Sequence, residues 1–95
     1  MSFGQRQYLA KNLVATQVAQ LGTGVGTLHT IVVNRTGNQP LVIIDGAGGT
    51  TIGVIGTLKS SVAEGTYLYD CCFGSGLRVN VQSDSDITVT FSVGA

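Results

Sequence analysis

Residues 87–93 read ITVTFSV, a segment in which apolar and hydroxyl side chains alternate without a break. Successive side chains of a β-strand point to opposite faces of the sheet, so the alternation puts Ile87, Val89 and Phe91 on one face and the hydroxyl groups on the other. A strand of this kind packs one face on a core and leaves the other in water, as antiparallel sheets do. The segment therefore predicts an antiparallel sheet with one solvated face.

The same period of two continues through much of the chain, where glycine-rich turns interrupt it. The predicted strands cover residues 13–20, 27–34, 41–45, 52–59, 66–73, 77–82 and 87–93. Short strands that recur about every 8–12 residues are typical of a β-sandwich or barrel. No segment has a helical period longer than a single turn. The predicted fold class is all-β, an antiparallel β-sandwich that is jelly-roll-like.

The N-terminal sequence MSFGQRQYLAKN is mostly polar and lacks periodicity. Such a terminal segment becomes ordered only when something binds it. We expect residues 1–12 to form an extended N-terminal arm and residues 13–95 to form a single β-sandwich domain, because 95 residues are too few for two cores. The arm side chains expected to contact a neighbouring subunit or another partner are Phe3, Arg6, Tyr8 and Lys11.

The charge of the chain is low and balanced, with five basic residues, five acidic residues and a net charge of zero. Charged residues make up 11% of the sequence, less than half of the roughly 25% in an average soluble protein. A surface of this kind favours packing against other protein and self-association. The basic residues are scattered, which argues against nucleic-acid binding. Apolar runs of four or five residues are too short to span a bilayer, and we expect no secretory signal.

The single histidine, His29, lies in the predicted strand TLHTIVVN on the same face as Ile31 and Val33. This position is more typical of a core or interface histidine than of a catalytic base, which needs an orienting partner. No serine lies in a turn of the G-x-S-x-G type. The sequence therefore predicts no catalytic residues, and we expect the protein not to be an enzyme.

Two loops match ligand-binding motifs only in part. Residues 84–86 (DSD) resemble the start of a calcium loop but lack its downstream glycine and glutamate, so a turn capped by aspartates fits better. A calcium site that borrows Asp45 or Asp70 stays open as an alternative. Residues 46–49 (GAGG) lead into a strand, whereas a phosphate loop leads into a helix. We expect no metal and no cofactor.

One predicted strand carries Tyr67, Tyr69 and Phe73 on the same face. Stacked aromatic side chains bind sugars and bases, but an aromatic stripe on an alternating strand is more typical of a core, and both interpretations stay open. The adjacent Cys71 and Cys72 point to opposite faces of that strand. We expect one buried thiol and one outward or half-buried thiol in a reducing compartment.

Residues 24–34, GVGTLHTIVVN, resemble the GxLHxIxVN strand of small structural proteins encoded in tailed-phage and prophage genomes. Three further segments match that family in order, namely residues 41–45, residues 58–69 (LKSSVAEGTYLY) and the chain ending over residues 76–89. The resemblance covers residues 20–95 and leaves the arm outside. Its motifs are strand and turn signatures, so it carries over no active-site residues.

The resemblance implies a virion structural protein, above all a capsid decoration (cement) protein that stabilises a bacteriophage head. Its partners would be the major capsid protein and copies of itself in a homo-oligomer, with a trimer favoured. The protein would be made in the cytoplasm of the bacterial host and would lie on the capsid surface, with the N-terminal arm contacting the shell. The alternative is a carbohydrate- or receptor-binding module of a phage tail or fibre.

Overall fold

Eight antiparallel β-strands make up the structure, a computed structural model that describes residues 8–82 and 84–94. The strands are β1 (Leu9–Val14), β2 (Gln17–Thr23), β3 (Gly26–Arg35), β4 (Leu41–Asp45), β5 (Gly53–Leu58), β6 (Gly65–Phe73), β7 (Gly76–Val81) and β8 (Asp86–Val93). They form two four-stranded sheets, the first in the order β1-β8-β3-β6 and the second in the order β2-β7-β4-β5. This is the double-sheet arrangement of an eight-stranded jelly roll, so the predicted fold class is confirmed. The described residues include no helix long and apolar enough to cross a membrane.

The core lies between the inner faces of the two sheets. In β8 the alternation of the sequence becomes an alternation of burial, since Ile87, Val89 and Phe91 are buried and the Thr side chains between them are not. In β7 of the second sheet, Val79 and Val81 are fully buried. Burial of side chains of this size contributes about 1.5–3 kcal/mol each. The strands with the cleanest alternation are therefore the inner strands of the two sheets.

The first strand overlaps the predicted N-terminal arm. The predicted arm extends to Asn12, but β1 begins at Leu9 and all six of its residues have partners in β8. The alternation is missing from the sequence because β1 is an edge strand in which Leu13 is the buried side chain and the other five are exposed. Residues 9–12 of the predicted arm therefore pair with β8, and the division of the chain into an arm and a domain stays a prediction. Residues 1–7 lie outside the part of the chain that the structure describes.

A turn at Ala15 and Thr16 separates β1 from β2, where the sequence predicts one continuous strand over residues 13–20. Ala15 has a φ of 65°, in the left-handed region that residues other than glycine rarely adopt. Its N–H donates to the carbonyl of Ser85 at 3.0 Å. The turn carries the chain from the first sheet to the second, so β1 and β2 lie side by side along one edge of the sandwich.

A β-bulge in β3 corrects the predicted orientation of His29. The register of β3 against both β6 and β8 shifts between Leu28 and Thr30. Such an extra residue breaks the alternation of faces along the strand. Ile31 and Val33 stay in the core, whereas His29 lies on the outer face of the first sheet and is only half-buried. The prediction that these three side chains share one face is therefore wrong.

Candidate interaction surfaces

The bulge brings His29 into contact with two other side chains, and we call these three residues the histidine cluster. The imidazole stacks on the phenol ring of Tyr8, with 4.2 Å between ring centroids and 11° between ring planes. Its Nδ1 contacts Oδ1 of Asp70 in β6, a residue with a φ of 46°. Left-handed backbone at such a residue persists only where surrounding contacts hold it. The cluster therefore anchors the residue before β1 and the edge strand β6 to the middle of the first sheet.

The chemistry of the histidine cluster is that of an anchor. An imidazole oriented by a carboxylate is the base of a hydrolytic triad, which also needs a nucleophile within hydrogen-bond reach of the base. The near-parallel stacking makes Tyr8 present its ring face to His29, and not its hydroxyl group. This arrangement restrains the imidazole without supplying a group for covalent chemistry.

The calcium-like segment uses its aspartates to tie β8 to neighbouring strands. Oδ1 of Asp86 accepts hydrogen bonds from Nδ2 of Asn12 at 2.7 Å and from Nδ2 of Asn34 at 3.2 Å, and these bonds lower the pKa of that carboxyl below its usual value. Asp84 accepts a hydrogen bond from the guanidinium of Arg35 at 3.0 Å. This geometry is that of a polar turn joined to β1 and β3. Within residues 8–82 and 84–94, no group of three His, Cys, Asp or Glu side chains is placed to hold a metal ion.

Asp45, another candidate calcium ligand, holds the turn between β6 and β7. Its Oδ2 accepts the N–H of Gly74 at 2.9 Å, and its Oδ1 accepts the N–H groups of Ser75 and Gly76 at 2.9 and 3.2 Å. These backbone hydrogen bonds, above all the one from Gly74, lower the pKa of the Asp45 carboxyl. Three backbone N–H groups of the turn thus donate to the same carboxylate. Asp45 therefore stabilises the turn. The last candidate calcium ligand, Asp70, belongs to the histidine cluster.

The glycine-rich loop between β4 and β5 is held to the second sheet by Arg78. The guanidinium donates to the carbonyl of Gly48 at 2.6 Å, to the carbonyl of Thr50 at 3.3 Å and to Oγ1 of Thr51 at 2.6 Å. The loop thus turns carbonyl oxygens towards a cation, whereas a phosphate-binding loop turns N–H groups towards an anion. The hydrogen bonds of this loop are therefore those of a connection between two strands and not those of a phosphate-binding loop.

The aromatic stripe of β6 faces the core. Phe73 is 1% exposed, and the half-buried Tyr67 and Tyr69 pack against the core. The Tyr69 ring lies over Gly56 of β5, where a Cβ atom would come within 2.8 Å of the ring. Burial raises the pKa of the Tyr69 hydroxyl. The stripe packs against the core, as the alternating pattern favours, and the alternative of a binding platform stays a prediction.

The two cysteines point to opposite faces of β6, as the sequence predicts. Cys71 is half-buried and packs against the core, Cys72 is exposed, and both thiols are free. Burial raises the pKa of the Cys71 thiol, and the nearby Cys72 and Asp70 raise it further. A raised pKa lowers the thiolate fraction, so Cys71 is a packing residue and not a reactive one.

The four residues predicted to contact a partner fall into different places. Phe3 and Arg6 lie outside the described residues. Tyr8 belongs to the histidine cluster, and Lys11 lies in β1 with its side chain exposed. Their contact with a partner stays a prediction.

Exposed apolar side chains are concentrated on the two lateral edges of the sandwich. We call the side formed by β1 and β2 the first edge, and the opposite side, formed by β5 and β6, the second edge. The large apolar side chains of the first edge are 44% to 63% exposed, and those of the second edge are 60% to 68% exposed. They are Leu9, Val14 and Val18 on the first edge, and Ile52, Val54 and Leu68 on the second.

Sequence reasoning missed both edges. An alternating pattern separates the two faces of a strand, but it does not identify which strand ends a sheet. Val18 and Val54 are therefore indistinguishable in the sequence from core valines. The absence of charge around them in β2 and β5 is the one signal that the sequence offers.

Comparison with known proteins identifies the fold alone. No family model and no curated protein matches the chain. A solved structure with a similar fold is the NLP core of Drosophila, which was studied for its pentamer formation and histone binding. The match has a TM-score of 0.57 and 11% sequence identity, and it covers 94% of this chain and 100% of the other.

This comparison overturns the predicted function. The solved structure that matches is the core of a histone-binding protein and not a virion component. The capsid decoration protein and its alternative in a phage tail or fibre are therefore wrong, and the comparison gives no support to the major capsid protein as a partner. The sequence resemblance to phage and prophage proteins is tested by none of the comparisons and stays a prediction.

Proposed function

We propose that this chain is a non-enzymatic structural protein that assembles with copies of itself into a closed homo-oligomer. The observation that carries the proposal is the concentration of exposed apolar side chains on the first and second edges. Large apolar patches on a soluble protein mark interaction sites. Contact between copies along these edges removes both sets of side chains from water.

The charge distribution supports burial of the edges. Among the four edge strands, β1, β2, β5 and β6, the ionisable Asp, Glu, Lys and Arg residues are Lys11 and Asp70 alone. The cores of protein interfaces are depleted of charged residues because charges are costly to remove from water. Edges with so little charge lose little hydration energy when another subunit covers them.

The proposed number of subunits is five. The Drosophila NLP core, which shares the fold over nearly the whole chain, forms pentamers. A pentamer therefore replaces the trimer that the phage resemblance favoured. The fold similarity supports this number as a proposal, since subunit arrangement depends on the edges and not on the fold alone.

Histone binding, the other property of the Drosophila protein, is not part of the proposal. A basic partner is attracted by clustered acidic groups. This chain has five acidic residues, and each accepts a hydrogen bond or an ion pair from the protein itself: Asp45, Glu64, Asp70, Asp84 and Asp86. With a net charge of zero and five acidic residues that already have partners in the protein, the chain offers no cluster of free acidic groups.

Light scattering after size-exclusion chromatography tests the proposal. We expect one discrete mass, a whole multiple of the 9.8 kDa chain, that persists over a dilution series in the micromolar range. A mass of one chain at every concentration would contradict self-assembly. Addition of a core histone as a second component is expected to leave the mass unchanged, and a stable complex would reinstate histone binding.

A further inference from the structure

We infer that neighbouring copies contact head to tail, with the first edge of one subunit packed on the second edge of the next. This inference rests on the proposed self-assembly and specifies the surfaces that carry it. It makes every interface of the oligomer the same, and it makes the two sides of each interface different.

The two edges lie on opposite sides of the molecule. The two-residue turn at Ala15 and Thr16 holds β1 beside β2, which are the first strands of the two sheets. The last strands, β6 and β5, face each other through Tyr69 and Gly56. A subunit therefore presents two separate apolar surfaces that cannot both contact the same partner copy. Two such surfaces are what a ring requires, because each subunit has two neighbours.

The charges favour contact between unlike edges. Lys11 is the charged residue of the first edge, and Asp70, whose Oδ1 also contacts Nδ1 of His29, is the charged residue of the second. Packing first edge on second edge brings one cation and one anion to each interface. Packing like edges together brings two cations to one interface and two anions to the other, which is unfavourable because like charges repel. The edges are thus complementary in charge and similar in their apolar content.

Closure follows from the head-to-tail contact. A heterologous interface generates a ring when the rotation between subunits closes, and an open filament when it does not. Because the proposed oligomer is expected to have one discrete mass, its subunits must form a closed ring and not an open filament. Both the first edge and the second edge are then covered in every subunit, and no apolar edge stays in water.

The other exposed apolar residues provide a matched control. Val25 and Val93 are 51% and 48% exposed, and they lie together at one end of the sandwich, where the N–H of Gly94 donates to the carbonyl of Val25 at 2.6 Å. Val25 lies outside the four edge strands, whereas Val93 lies beside Gly22 of β2 and is not used as a control. A charge introduced at Val25 alters the exposed apolar surface by a similar amount without touching the proposed interface.

The test uses three variants of the full chain, Val18→Asp on the first edge, Val54→Asp on the second edge and Val25→Asp as the control. These side chains are 63%, 60% and 51% exposed, so a carboxylate at each position stays hydrated in the isolated subunit. Light scattering is expected to give the mass of one chain for Val18→Asp and for Val54→Asp, and the wild-type mass for Val25→Asp. Circular dichroism and thermal unfolding verify that each variant is folded.

Mixing separates head-to-tail contact from contact between like edges. In a mixture of Val18→Asp and Val54→Asp, the intact second edge of the former meets the intact first edge of the latter. The mixture is therefore expected to form pairs of two chains and nothing larger. A mixture that forms no pairs overturns the inference, and so does either variant alone if it forms a stable dimer or keeps the wild-type mass.

The outcomes also distinguish the inference from the proposed function. A monomeric wild-type chain overturns self-assembly itself, whereas an oligomeric wild-type chain with unaffected edge variants overturns only the assignment of the edges. Where an aspartate variant fails to fold, the isosteric Val18→Thr and Val54→Thr replace it. Each is expected to raise the concentration at which the oligomer dissociates by about tenfold or more, since two or more interfaces lose apolar contact. An unchanged dissociation concentration overturns the inference.

Discussion

β8 and β1 are hydrogen-bonded neighbours in the first sheet, yet they differ in almost every property that a sequence can report. The sequence of β8 alternates strictly, and its apolar side chains Ile87, Val89 and Phe91 are buried. β1 pairs with it residue for residue, but Leu13 is its single buried side chain. The difference teaches that alternation reports burial of one face and not membership of a sheet. A strand that lacks alternation and ends a sheet is a candidate for burial by another subunit.

The largest expected effect concerns the β8 side of the comparison. Phe91→Ala is expected to lower the free energy of unfolding by about 3–5 kcal/mol, because Phe91 is buried and the surrounding core cannot fully collapse around the cavity. Urea unfolding at a fixed protein concentration measures the loss. A loss below about 1 kcal/mol would mean that the inner face of β8 is misassigned.

Leu9 is the matched control, because it lies directly opposite Phe91 in the ladder and is 55% exposed. In the Val18→Asp background, which removes the contribution of assembly, Leu9→Ala is expected to change the free energy of unfolding by less than about 1 kcal/mol. A loss as large as that of Phe91→Ala would remove the distinction between the two strands.

A second comparison contrasts two glycines of the edge strand β5. Gly56→Ala is expected to cost about 1–3 kcal/mol, because the added Cβ would lie 2.8 Å from the Tyr69 ring and force it to move. Gly53→Ala is the control, since a Cβ at Gly53 meets nothing within 4 Å. Thermal unfolding of the two variants measures the difference. Equal stabilities would show that β5 and β6 do not pack through Tyr69.

The pH dependence of stability tests the polar link between β1 and β8. The folded-state pKa of Asp86 is lowered by its hydrogen bonds to Asn12 and Asn34. The carboxylate therefore stabilises the fold fully above the pKa of the unfolded chain, and this contribution is lost as the pH falls through the depressed folded-state pKa. Urea unfolding between neutral and acid pH is expected to show a shallower acid decline for Asp86→Asn than for the wild type. If the stability of the two proteins fell equally with decreasing pH, the stabilising role of the Asp86 carboxylate would be contradicted.

The smallest expected effect concerns the charges of the two edges. Lys11→Glu is expected to raise the dissociation concentration of the oligomer by about 1.4- to 5-fold, since an exposed ion pair contributes about 0.2–1 kcal/mol. The double variant Lys11→Glu with Asp70→Lys is expected to recover part of the loss, with Asp70→Asn as the control for the lost contact to His29. Losses that simply add in the double variant would exclude Lys11 and Asp70 as partners across the interface.

Much of the fold could be predicted from the sequence because β7 and β8 are buried on one face and alternate accordingly. The aromatic stripe of β6 was predictable as core for the same reason. The β1–β2 turn could not be predicted, because Ala15 adopts a left-handed conformation without the glycine or asparagine that usually indicates one. The bulge at His29 could not be predicted either. A bulge depends on how the strand pairs with its neighbours and not on the identity of the extra residue.

The candidate interface could be predicted only in its general character. A low charge and a net charge of zero indicate self-association. The location of the contact depends on which strands end the two sheets, and strand order arises from long-range pairing that no local pattern encodes. Val18 and Val54 look like core residues until the topology places them at opposite edges. The predicted partner residues lie instead in the N-terminal segment, where periodicity is absent.

The solution mass of the full chain, measured by light scattering over a micromolar dilution series, tests self-assembly most directly. A single mass of five times 9.8 kDa that persists on dilution is the predicted result, because five subunits in a ring cover every first and second edge. A mass of 9.8 kDa at all concentrations would contradict it, since the apolar side chains of both edges would then stay in water.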